Sequence, residues 1–255
     1  MTEFVQQHIK EGQDIRPHVS LVFNFTKPTT EKPSLLTYEE VSTMLHEFGH
    51  ALHGMLSKVT YASLSGTSVY RDFVELPSQI MENWAEQKVW LDDVAVHYQT
   101  GEKVPMDLLQ KILDSKDFNE AYYTCRQLSL GLTDMAWYTL TQPFDGDVEQ
   151  FEKMAMAPVD VLPPMAGSAI SPSFSHIFGG GYSAGYYGYK WAEVLDADAF
   201  SLFKENGIYD KPTATRFRDC ILSKGGTAHP MKLYVDFRGR KPSIDALLER
   251  SGLKK

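Results

Sequence analysis

Residues Thr37 to Met55 read TYEEVSTMLHEFGHALHGM, and the fold around them is decided by how this stretch is read. Thr37, followed three positions on by Glu40, has the T-x-x-E form of a capping box, in which a hydroxyl and a carboxylate satisfy the spare N–H groups of a helix start. Val41, Met44, Leu45, Phe48, Ala51, Leu52 and Met55 then recur at helical spacing. The pattern predicts an amphipathic helix. Inside it, His46-Glu47-Phe48-Gly49-His50 is H-E-x-x-H in the context that motif requires. Side chains four apart on a helix lie about 40° apart around the axis and one turn along it, so both imidazoles can face one ion. Glu47 projects beside the pair, placed to take a proton from water without ligating.

A histidine pair on a solvated face, with Glu47 an ordinary surface acid, is the competing reading. His53 lies near the same angle but roughly 10 Å along the axis from His46, too far to share a tetrahedral ion with it. A His50/His53 pair would leave no acid in the position of a base. A catalytic zinc site takes three protein ligands and keeps one position open. The residues after His50, ALHGMLSKV, contain no further histidine at metzincin spacing, so the third ligand has to come from elsewhere. The segment DFVELPSQIMENWAEQ offers Asp72, Glu75, Glu82 and Glu86, and spacing alone does not choose. Glu75 also fits a capping box begun by Asp72.

A second cluster follows the most loop-like part of the chain, Ala157 to Gly181, where proline, glycine and serine concentrate. His176 precedes Gly179-Gly180-Gly181, and Tyr182, Tyr186 and Tyr189 follow at i, i+4 and i+7. On a helix those phenols would share a face, with Tyr187, Trp191, Val194 and Leu195 on another suited to packing. A tyrosine-rich packing helix and a functional loop are equally consistent with the spacing. Granted a metal, hydroxyl and imidazole donors are what a developing oxyanion needs.

The runs HEFGHALHGMLSKVTYASLSGTSVYRDFVELPSQIMENWAE and HIFGGGYSAGYYGYKWAEVLDADAF, with FRGRKPSIDALL near the end, resemble the thimet oligopeptidase family of zinc metallopeptidases, and most closely its bacterial peptidyl-dipeptidase branch. The resemblance implies one zinc ion on His46, His50 and Glu75, with Glu47 as catalytic base. It also implies that His176, Tyr182, Tyr186 and Tyr189 contact substrate and stabilise the tetrahedral intermediate. The implied fold is mainly α with a minor β component, a zincin-like α+β catalytic domain carrying H-E-x-x-H on a helix. The implied activity is hydrolysis of short peptides, with release of C-terminal dipeptides as the first expectation. Internal cleavage and a catalytically silent metal- or peptide-binding fragment are the alternatives. For dipeptide release a cation must meet the terminal carboxylate, and Arg71, Lys190, Arg238 and Arg240 are candidates.

The remaining sequence is expected to give a strand over His18–Thr26, irregular or β structure over Thr60–Val69, and a second helix from Asp72 to about Val96. Further helices are expected at Met106–Ser115, Phe118–Thr141, Val148–Met156, Ala184–Lys204, Thr213–Ser223 and Ser243–Ser251. Three parts follow: 1–33 a strand and leading loop, 34–156 a zinc-binding helical part, and 157–255 the Gly/Pro/Tyr loop with C-terminal helices. The family resemblance implies that the whole is the C-terminal catalytic region of a longer enzyme, with an upstream helical domain expected as partner. A 43% hydrophobic chain is globular rather than disordered, and a formal charge of -8 opposes a nucleic-acid partner. Cys125 and Cys220 suggest no disulfide framework, and no apolar run is long enough for a bilayer span, so no membrane partner is expected. The cytoplasm is the expected location, with the periplasm left open because the start reads as truncated.

Overall fold

The computed structural model describes residues 1–116, 118–163 and 165–254. Four short strands open the chain: β1 (Thr2–Val5), β2 (His8–Lys10), β3 (Gln13–Ile15) and β4 (His18–Ser20). They form two antiparallel ribbons, with Glu3 opposite Val19 and Ile9 opposite Asp14. The β2–β3 turn is Glu11-Gly12, at φ 53° and 79°, the left-handed pair that lets a two-residue hairpin follow the strand twist. The expected strand over 18–26 is therefore shortened: β1 pairs with residues 18–20 alone, and β-propensity without a partner edge makes no strand. Gln7 is fully buried and clamps the ribbons to the chain beyond the first helix. Its amide accepts from Val59 N–H (2.6 Å) and donates to Val59 O (3.1 Å) and Asp14 (2.8 Å).

Helix α1 (Tyr38–Met55) starts with the expected capping box: Glu40 N–H donates to Thr37 Oγ1 (3.2 Å) and Thr37 N–H to Glu40 Oε2 (2.8 Å). Its buried face differs from the large-residue stripe. Leu45, Gly49, Ala51, His53 and Gly54 are buried, whereas Phe48 and Met55 are exposed. Small residues admit a neighbouring backbone: a Cβ on Gly49 would lie 2.2 Å from Pro77 O and 2.6 Å from Ser78 Cα.

That neighbour is α2 (Leu76–Glu82). The single helix expected from Asp72 to Val96 is divided into turns at 71–75, α2, a 3-10 turn at Asn83–Glu86 and α3 (Lys88–Val94). Pro77 falls in the first turn of α2, where a missing N–H costs nothing, so it starts the helix instead of interrupting one. Residues 60–69 are irregular, with one 3-10 turn at Ala62–Leu64. Helices α4 (Met106–Lys116), α5 (Glu120–Tyr138) and α6 (Val148–Met156) follow close to expectation.

The proline- and glycine-rich stretch is irregular apart from a 3-10 turn at Ser171–Ser173 and the short α7 (Ser175–Phe178); Pro164 lies outside the described residues. Helix α8 (Gly188–Asn206) begins later than expected, and α9 (Lys211–Phe217) continues into a wider π turn to Leu222. Helix α10 (Pro230–Arg238), unanticipated, has Pro230 in its first turn, buries Leu233, Tyr234 and Phe237, and ends at Gly239 with φ 81°. Helix α11 (Asp245–Arg250) closes the series.

The chain forms two compact units, residues 1–115 with 192–255, and residues 116–191. Leu76, Ile80, Phe200, Phe203, Tyr234 and Phe237 fill the first core, with Trp84 edge-on to Phe200 and Phe203 at 4.9 and 5.2 Å. In the same unit Arg250 donates to Asn83 Oδ1 (3.0 Å) and to buried Asp196, tying α11 to the turn after α2. The second unit packs Leu130, Phe174, Ile177 and Tyr186 together, with Trp137, Ile170 and Tyr189 against them. The architecture is mainly helical with a minor β component.

Candidate metal centre

Burying a carboxylate is costly unless partners satisfy it, and Glu75 is only 2% exposed. It sits at the N-terminal boundary of α2, yet makes no capping bond with its side chain. Instead Ser78 Oγ donates to Glu75 Oε2 (2.7 Å), and the same oxygen lies 3.3 Å from His46 Nε2 and 3.2 Å from His50 Nε2. The helix starts at Leu76, so Glu75 stands at its N-cap position instead of inside a helix begun by Asp72. The close approach at Gly49 brings α2 against α1 one residue from His50, which is how a carboxylate from the next helix reaches the pair.

Tetrahedral zinc with bonds of 2.0–2.2 Å requires ligand atoms about 3.3–3.5 Å apart. The two imidazole–carboxylate edges, 3.3 and 3.2 Å, lie at the short end of that spacing, within about 0.1 Å of it. All three donor atoms lie within 4.8 Å of one another, the two rings being nearly perpendicular at 85°. Two imidazoles and a carboxylate match a zinc site with one position left open. His46, His50 and Glu75 are thus placed to hold a single divalent ion.

The other carboxylates on this stretch have separate tasks. Glu82 Oε1 accepts from His46 Nδ1 (2.6 Å), which fixes the tautomer with Nε2 free to ligate, and Ser42 Oγ donates to Glu82 (3.3 Å). Glu86 accepts from Tyr38 OH (3.1 Å). Sequence reading weighed Glu82 only as a ligand. Its spacing of seven from Glu75, two turns on, was the available signal that both face the same side. Burial alone would depress the His46 imidazolium, but its contacts with Glu75 and Glu82 carry its pKa up to about 10. His53 is fully buried with neither ring nitrogen bonded, and burial pushes its pKa down to about 3; it stands outside the cluster of donor atoms that His46, His50 and Glu75 form. Glu47 is half-buried, and its carboxylate accepts from the α-amino group of Met1. A cavity of about 410 Å³ lined by Tyr38, Glu39, Ser42, Thr43, His46 and Glu82 opens beside the first histidine.

The second unit brings the other four candidates together. His176 lies on α7, with ring centroids 6.1, 5.9 and 6.2 Å from Tyr182, Tyr186 and Tyr189, and Tyr182 stacks on Tyr189 at 4.9 Å. The route differs from the one expected: Tyr182 and Tyr186 sit in turns before α8, and only Tyr189 is helical. Of the expected packing face, Leu195 is buried and Trp191 and Val194 are half-buried, but Tyr187 is 48% exposed. Tyr186 is instead buried among Leu130, Phe174 and Ile177, and burial raises its phenol pKa.

Among the candidate cations, Arg238 donates to Asp198 O and Ser201 Oγ (both 3.0 Å), and Arg240 pairs with the Asp198 carboxylate. Asp198 is buried and also accepts from Tyr234 OH. The FRGR segment thus braces α8 against α10.

The profile of peptidase family M3 matches residues 1–253, and the chain belongs to this family of peptidases. It is 45% identical to oligopeptidase A of Escherichia coli (strain K12), over 98% of this chain and 37% of that protein. It is also 40% identical to dipeptidyl carboxypeptidase of the same organism, over 99% of this chain and 37% of that protein. The chain therefore spans little more than a third of the length of these curated relatives.

Proposed function

We propose that this chain is the C-terminal catalytic region of a longer metallopeptidase that hydrolyses short peptides, releasing C-terminal dipeptides, with an upstream helical region as its structural partner. The observation that carries the reading is the pair of edges, 3.3 and 3.2 Å, between one Glu75 oxygen and two imidazoles a helical turn apart. When bound, zinc supplies Lewis acidity toward a peptide carbonyl and acidifies water. His46 and His50 orient the site, Glu82 holds the first imidazole in its ligating tautomer, and Glu47 takes the attacking water's proton and returns it to the departing amine. His176, Tyr182, Tyr186 and Tyr189 supply donors to the substrate and to the charge developing on its carbonyl oxygen. The convergence of their four rings and the family resemblance support that assignment.

A cytoplasmic location is our reading; of two plant relatives each 43% identical to this chain, one is called a probable cytosolic and the other an organellar oligopeptidase A. Internal cleavage is the second reading: Asp198 engages Arg238 and Arg240, two of the four cations considered for a terminal carboxylate. Mass spectrometry of products from amidated and free-acid versions of one peptide separates the two: dipeptide release is abolished by amidation, internal cleavage is not. Glu47→Gln tests the chemistry. It should retain zinc by elemental analysis and lose turnover of a quenched peptide, and full activity would remove Glu47 as base.

A further inference from the structure

Asp134 lies on α5, fully buried, and the mechanism above gives it no task. One of its oxygens accepts from Ala184 N–H and the other from Tyr186 N–H, both at 2.9 Å. The turn between those amides is the one that carries the tyrosines toward His176. Ala184 within it is at φ 52°, a left-handed conformation that any residue with a Cβ adopts at a cost and that persists only when its surroundings impose it. A buried carboxylate needs donors and buried N–H groups need acceptors, so each holds the other. The same turn is tied to α7: Tyr182 N–H donates to His176 O (2.9 Å) and Ser183 Oγ to Ile177 O (2.6 Å). Farther back, buried Glu152 accepts from Ile170 N–H (2.9 Å) and Ser171 N–H.

We propose that Asp134 is a positioning residue: it clamps the 184–186 turn in its left-handed form and so makes Tyr182, Tyr186 and Tyr189 converge with His176 on the substrate. The inference rests on the reading of that cluster as substrate-contacting. A residue acting only in the core would hold the fold, whereas a clamp on this turn acts on one step.

Asp134→Asn keeps shape and volume but replaces one acceptor oxygen with a group that cannot accept. Hydrogen exchange at residues 182–189 should accelerate, while exchange over α1 and zinc content stay as in the wild type. On a quenched peptide, kcat should fall about ten- to a hundredfold with KM nearly unchanged, the signature of donors misplaced for the transition state. Ala184→Val reaches the same turn from the exposed surface, without touching the core, and should give the same pair of changes because a β-branched residue resists positive φ. Ala184→Gly suits that φ, should leave both readouts alone, and should recover part of the loss when combined with Asp134→Asn.

Wild-type exchange at 182–189 in Asp134→Asn, or in Ala184→Val should the first variant not fold, overturns the proposal. Faster exchange with unchanged kcat overturns the positioning role. The underlying reading fails separately: Tyr182→Phe, Tyr186→Phe and Tyr189→Phe, with wild-type exchange and full turnover, would refute the cluster's part in catalysis while leaving the exchange result for Asp134→Asn standing.

Discussion

Replacing Gly49 with alanine should cost the protein its metal before it costs the fold. A Cβ built there meets Pro77 O at 2.2 Å and Ser78 Cα at 2.6 Å, whereas ordinary contact begins at 3.4 Å. Both atoms are backbone at the start of α2, so no side chain can swing aside, and α2 has to retreat by about 1 Å. Glu75 precedes α2 and moves with it. The edges to His46 and His50 are already matched to tetrahedral zinc, and metal sites tolerate only about 0.2 Å of error in their bonds. Overpacking costs roughly 1–3 kcal/mol, partly offset by about 0.5–1 kcal/mol from removing a mid-helix glycine. The fold should therefore survive, while zinc affinity falls by a factor of about 10–100, the scale seen when groups supporting a ligand are removed. Competition against a chromophoric chelator measures this, with thermal melting alongside. Gly131→Ala is the control: the nearest atom to its added Cβ is 3.9 Å away, so it should leave zinc binding unchanged and stabilise α5 by about 0.5–1 kcal/mol. Wild-type zinc affinity in Gly49→Ala would refute the claim that this close approach places the third ligand.

Glu82→Gln removes the carboxylate that accepts from His46 Nδ1, and calorimetry should show zinc binding weakened by about tenfold or more; unchanged affinity would mean that His46 needs no such partner. His53 has a folded pKa depressed to about 3, so below about pH 6.5 the unfolded chain binds the extra proton. The resulting stability is complete above that pH and is lost as pH falls toward 3, at about 1.4 kcal/mol per unit. Denaturant midpoints of wild type should drop between pH 7 and 5 more steeply than those of His53→Leu, and parallel curves would dismiss His53 as the source. Arg250→Ala leaves Asp196 buried without its cation and should destabilise by about 3–5 kcal/mol in urea unfolding. Asn83 Nδ2 also donates to Asp196 (2.9 Å), and a loss under 1 kcal/mol would show that this bond satisfies Asp196 alone.

Local signals were enough for α1. A capping box and a 3.6-residue period are properties of one short segment, and Thr37, Glu40, His46 and His50 occupy the positions that spacing requires. The same local logic placed Leu45 and Ala51 correctly but overextended the buried face, because hydrophobicity also favours Phe48 and Met55, whereas packing favours whatever lets α2 approach, namely Gly49. Pro77 was similarly ambiguous: a proline interrupts a long helix or begins a short one, and the turns at 71–75 decide.

Sequence by itself determined the metal-binding helix, the pair of imidazoles on it and the presence of an acid between them, since all of that lies within one turn of backbone. Tertiary structure decided which of four nearby carboxylates meets the imidazoles, why Glu82 instead orients His46, and how turns bring His176 to its three tyrosines. Those outcomes depend on contacts between segments far apart in the chain, where the close backbone approach at Gly49 or two hydrogen bonds at Asp134 outweigh any local preference.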